Sequence, residues 1–131
     1  MGSKLDAVDK RIILTIYEYG KPISKLKLHR IIYELKNRGV RFPFQFYGER
    51  PIAPELDERL EKLVNRGYLR KLYYTGSSYL TLYIELYRLT PKGLKIAEKA
   101  DIDKRDVKRI KDYFNERKSA KPQAPASGEG G

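Results

Sequence analysis

Residues 60–72, LEKLVNRGYLRKL, hold the end of a helix, its stop and the start of a strand. Leu60, Leu63 and Val64 recur at helical spacing, Gly67 is a C-terminal stop, and the β-favouring Tyr68 and Leu69 follow at once. A second stretch, YRLTPKGLKIAEKA at 87–100, reverses the order. There a strand ends at Leu89, Thr90 caps a helix and Pro91 is its first residue. Between the two, Thr75-Gly76-Ser77-Ser78 reads as the turn of a hairpin with strands over 68–74 and 79–89.

Working back from residue 60, Pro54 opens a third helix, PELDERLEKLVNRG, with Leu56, Leu60, Leu63 and Val64 turned inward. The segment before it, RFPFQFYGERPIA at 41–53, alternates Phe42, Phe44 and Phe46 and reads as an extended arm. Ser24 caps a second helix that runs to Arg38, with Leu28, Ile31, Ile32 and Leu35 as its inner stripe and Gly39 closing it. Lys21-Pro22-Ile23 is a short extended link. The first helix spans Leu5 to Tyr19, with Ser3 as N-cap, Gly20 as stop and Leu5, Val8, Ile12, Ile16 and Tyr19 on one side. Downstream, the fourth helix has Leu94, Ile96 and Ala97 as apolar positions, and a fifth begins near Asp103. The expected organisation is a domain at 1–100, a basic helix at 101–118 and a disordered Pro/Gly-rich tail at 119–131. The predicted fold class is α+β.

The composition narrows the function. In 131 residues there are 28 Lys+Arg against 17 Asp+Glu, a net charge of +11, with no cysteine and one histidine. Thiolate zinc sites and thiol nucleophiles are excluded, and His29 alone does not make a metal site or a hydrolase. His29 is expected to be structural, no enzyme is expected, and neither a cofactor nor a metal is implied. The start lacks an apolar segment of signal-peptide length, and the longest apolar run, IILTIY at 12–17, is too short to span a bilayer. A cytoplasmic protein is expected, with no membrane partner. The charge favours a polyanion, nucleic acid being the commonest, although an acidic protein or an anionic membrane face fits the same arithmetic. Few Asn and Gln with abundant Lys, Arg, Glu, Tyr and Ile resemble the usage of heat-adapted proteins.

With three helices, a hairpin and a further helix in that order, residues 5–100 resemble the winged helix-turn-helix DNA-binding proteins of archaeal type. The Gly67 stop before the hairpin and the Tyr87-x-Leu89-Thr90 segment before Lys92-Gly93 carry the resemblance. It implies a third helix in the major groove of duplex DNA and a two-stranded wing over the backbone or minor groove; other members bind only proteins. One departure is the 15-residue separation of the second and third helices, Gly39 to Ala53, where an ordinary helix-turn-helix has three or four. Over residues 46–69 the chain resembles antitoxin-associated domains of the Panacea type instead, through Phe46, Tyr47, Gly48, Pro51, Glu55 and Leu56. That resemblance implies protein binding.

The leading expectation is a transcriptional regulator that binds double-stranded DNA as a homodimer, associated with the nucleoid. Lys25, Lys27, Arg30 and Arg38 on the second helix would neutralise phosphates, in a stretch from Lys25 to Arg41 with six cations and only Glu34 against them. Arg59, Lys62 and Arg66 form the outward stripe of the third helix with Glu55 and Glu58, and Arg70, Lys71 and Ser77 make a polar wing. On the long second strand Leu80, Leu82, Ile84 and Leu86 fall opposite Tyr79, Tyr83 and Tyr87. This leucine row needs cover. A homodimer or a partner protein would provide it, with Val107, Ile110 and Phe114 of the fifth helix as a dimer element, or else the fifth helix folds back and these three cover the row within the chain. The alternatives are a winged-helix adaptor or antitoxin-like subunit gripping a protein partner through Phe42, Phe44 and Phe46, and a nonspecific chromatin or RNA-binding protein that stacks bases on Tyr73 or Tyr74.

Overall fold

The computed structural model of the chain describes residues 5–74 and 84–120. Its elements are α1 (Ala7–Tyr19), β1 (Ile23–Ser24), α2 (Lys25–Asn37), α3 (Pro54–Asn65), β2 (Leu69–Tyr74), β3 (Ile84–Leu89), α4 (Pro91–Lys99) and α5 (Lys104–Ala120). The fold is α+β, and the strands form one antiparallel sheet in the order β1-β3-β2.

Local chemistry sets most of the boundaries. Ser24 accepts the Lys27 amide at the head of α2, Thr90 accepts the Gly93 amide at the head of α4, and Pro54 and Pro91 stand in the first turns of α3 and α4. At the start of α1 the cap is Asp6; Ser3, the expected cap, lies outside the described residues. Asp6 accepts the Asp9 amide at 2.9 Å and Asp9 accepts the Asp6 amide at 3.3 Å, a reciprocal capping box. Gly67 turns the chain from α3 into β2 with φ +86°, a left-handed conformation that disfavours any side chain.

The link at 21–24 does more than connect. Ile23 pairs with Tyr87 and Ser24 with Leu86, so the hairpin of the sequence reading becomes part of a three-stranded sheet. Across the other edge of β3, Leu69 pairs with Leu89, Arg70 with Arg88 and Leu72 with Leu86. Side chains alternate between the faces. Ile23, Leu69 and Tyr87 are buried against the helices, while Arg70, Leu72, Ile84, Leu86 and Arg88 share the opposite face, where Ile84 is 41% exposed. Leu80 and Leu82 lie outside the described residues.

The core joins Ile12, Ile13 and Ile16 of α1, Leu28, Ile32 and Leu35 of α2, and Leu56, Leu60 and Leu63 of α3 to Tyr87. Two expectations are corrected by what else enters it. Phe42 and Phe44 are buried and stacked on each other, and Phe46 packs edge-on against Tyr33, so the arm before α3 is core and not a grip for a partner. In α5, Ile110 and Phe114 are buried and Val107 is half-buried against the same core, with α1 and α2 as the helix's neighbours. These three residues pack towards α1 and α2 within the chain. Leu94 is also turned out, because Gly93 and Ala97 take the inner positions of α4.

Charge fastens α5 in place. Asp106 is fully buried and accepts Arg11 Nε at 2.9 Å and Arg41 Nε at 3.3 Å, tying the helix to α1 and to the segment after α2. Removing one partner of such a buried set costs about 3–5 kcal/mol, because it leaves a charge without compensation. α5 continues to Ala120, two residues into the expected tail; 121–131 lie outside the described residues. No helix among the described residues is long and apolar enough to cross a membrane.

Candidate nucleic-acid interface

Helix α3 starts with an exposed acidic face, Glu55 and Glu58, at the end a groove-binding helix aims at DNA. Arg59, expected to reach base edges, is instead bound back onto α1. Its Nη1 donates to Asp6 at 2.8 Å and to Asp9 at 3.0 Å. Burial would lower the Arg59 pKa, but these two carboxylates outweigh it and raise it. Lys62, one turn further on, is exposed and makes no ion pair among the described residues.

The basic side of α2 is largely neutralised. Lys25 pairs with Asp57 at 2.9 Å and Arg38 with Glu116 at 2.9 Å, while Arg30 shares Glu34 with Arg117. Of the four phosphate candidates there, Lys27 alone has no ion pair among the described residues. On the hairpin, Lys71 turns to the helix side and pairs with Glu61 at 2.5 Å; that hydrogen bond is the main reason its pKa is raised. Ser77 lies outside the described residues. Tyr73 is 60% exposed.

One set of cations without ion pairs stands where α3, the sheet and α4 meet. Lys92 Nζ donates to the Arg66 carbonyl at 2.9 Å, and both cations flank the Tyr68 ring, at 4.4 Å for Lys92 and 5.8 Å for Arg66. Thr90 Oγ1 donates to the Gly67 carbonyl at 2.6 Å, and the Thr90 amide donates to the Tyr68 carbonyl, fixing the start of α4 against the end of α3. Arg70 and Arg88 stand directly opposite each other on the outer face of the sheet. Such a like-charge pair is repulsive unless an anion lies between. With Lys62 one turn before Arg66 and Lys95 one turn after Lys92, this makes six cations. None of the six forms an ion pair among the described residues. Two nitrogens of Arg66, Nε and Nη2, are buried and also lack a hydrogen-bond acceptor.

No protein-family model and no curated protein matches the chain.

Three of the six cations, Arg88, Lys92 and Lys95, are absent from the sequence-based set. They lie in YRLTPKGLK, a stretch whose cap and apolar residues drew the reading towards packing; the signal was the absence of any acid between Arg88 and Ala97. His29 is structural, as expected of a histidine on this helix. It is fully buried, and its Nδ1 accepts the Ala53 amide at 3.0 Å just before α3.

Proposed function

We propose that this chain is a winged-helix protein that binds double-stranded DNA through the phosphate backbone. The element order α1-β1-α2-α3-β2-β3, with β1 paired to β3 beside a hairpin, supports the winged-helix reading. The observation that carries the function is the set of six unpaired cations at the junction of α3, β2, β3 and α4, on a chain of net charge +11. Phosphates would take the place of the missing counter-charges. Base reading has less support, since the first turn of α3 presents Glu55 and Glu58 and Arg59 is bound to α1. The reading is therefore a sequence-tolerant DNA binder; the side chains of α5 belong to the core, which leaves the outer face of the sheet, with Ile84 41% exposed, as the surface open to a second copy.

The test is a titration of the full chain against random-sequence duplex DNA between about 50 and 200 mM salt, with the solution mass measured in parallel. Neutralising up to six phosphates gives a log–log salt slope of about −5. Lys62→Ala and Lys95→Ala should each weaken binding and lower the slope by about one, whereas Lys25→Ala should leave it nearly unchanged. Absence of binding at the lower salt would overturn the reading.

A further inference from the structure

A groove of about 1190 Å³ opens between the end of α1, helix α2, the turn at 49–52 and α5. It shares no residue with the six-cation patch. Its floor is apolar, made by Ile31, Phe114 and the ring of Tyr113, and its walls carry two large side chains left open to solvent, Leu26 at 56% and Tyr33 at 38% exposure. These two side chains give the groove an accessible apolar wall.

The charge on the groove is sorted. Of its three acids, Glu34 is held at the centre by the Tyr113 hydroxyl, Arg30 and Arg117, and Glu18 is paired with Lys111 at 3.4 Å. Burial would raise the Glu34 carboxyl, but the Tyr113 hydroxyl and Arg117 outweigh it and keep it below its ordinary value, so it stays ionised and occupied. Three further cations reach the same groove from three separate elements: Lys21 after α1, Lys27 on α2 and Arg50 in the turn. None has an ion pair among the described residues, and only Glu49 stands against them. Like charges lining one groove beside an apolar floor raise the local potential and favour a multiply charged anion.

We propose that this groove binds a free nucleoside di- or triphosphate, its base against Leu26 and Tyr33 and its phosphates among Lys21, Lys27 and Arg50. The groove has room for a ligand with an aromatic part and an extended anionic part. Aromatic side chains accept a base through its π-face without selecting its edge, so the preference among bases is weak and that for phosphate number strong.

The test is isothermal titration of the full-length chain with ATP, ADP, adenosine and tripolyphosphate. ATP and ADP should bind at least tenfold more tightly than either adenosine or tripolyphosphate, since only they engage both parts of the groove. Lys27→Ala and Arg50→Ala should each weaken ATP about tenfold. Leu26→Ser should weaken ATP but leave tripolyphosphate unchanged. All three positions are exposed, so the variants keep the fold, which circular dichroism verifies. Lys95→Ala, in the DNA patch, should leave ATP binding unaffected, so this proposal and the DNA reading fail separately. Equal affinity for ATP and tripolyphosphate, loss of ATP binding in Lys95→Ala, or no heat at millimolar ATP would each overturn the proposal.

Discussion

His29 shows how one buried polar group sets the pose of a helix. Its Nδ1 accepts the Ala53 amide, and its Nε2 lies 3.5 Å from Asp57 Oδ1, so the ring joins α2 to the first turn of α3. Burial lowers its pKa below the ordinary 6.5, against the pull of Asp57. The folded chain therefore resists a proton that the unfolded chain accepts. This contribution to stability is complete above about pH 6.5 and is lost as pH falls from there towards the lowered folded-state value. Urea unfolding at pH 7.5 and 5.5 should give a lower midpoint at 5.5, and since the chain has a single histidine, His29→Gln should flatten the difference. Gly93 is a second such point, because a Cβ there would lie 2.2 Å from the Tyr68 carbonyl oxygen. Gly93→Ala should cost about 1–3 kcal/mol and lower the melting temperature, as read by circular dichroism.

Among the elements, α3 divides its cations between two tasks. Arg59 braces α1, and Lys62, three positions on, has no protein partner among the described residues. Arg59→Ala should reduce stability by about 0.5–1 kcal/mol, the scale of a partly exposed ion pair, and leave DNA affinity unchanged. Lys62→Ala should do the reverse. A parallel denaturation and binding series separates them. For α5, Ile110→Ala should cost about 2–4 kcal/mol, with a melting temperature independent of protein concentration, because Ile110 fills the chain's own core. What was legible beforehand at this scale was local. Ser24, Pro54, Gly67 and Thr90 act on amides or dihedrals a few positions away, so the second, third and fourth helices were readable from their own ends. What was not legible depends on distant partners. Arg59 meets acids 50 and 53 positions earlier, Phe42 and Phe44 find the core by a fold-back, and the two-residue β1 exists only because β3 lies beside it. The candidate interface moved for the same reason: a cation's availability is decided by whether an acid from another element reaches it.

For the whole molecule, the net charge of +11 understates how unevenly free charge is placed. Ion pairs consume Lys25 and Arg30 of α2, Arg38 at its end and several cations on α5, while unpaired cations stand at the junction of α3, the sheet and α4 and at the rim of the groove. Most of the pairs are solvent-exposed and individually worth about 0–1 kcal/mol. Raising salt from about 50 to 200 mM should therefore change the urea midpoint little while reducing DNA affinity by orders of magnitude, a contrast that the two titrations on one preparation would reveal.

The Arg11–Asp106 contact has a further consequence for how the chain comes into being. The two residues are 95 positions apart. As the nascent chain leaves the ribosome, α1 emerges with an arginine destined for the interior long before its carboxylate has been synthesised, and the apolar side of α1 that Ile110 and Phe114 finally cover stays open for as long. Burying that guanidinium without its carboxylate is unfavourable, so the closing of this side of α1 waits for α5.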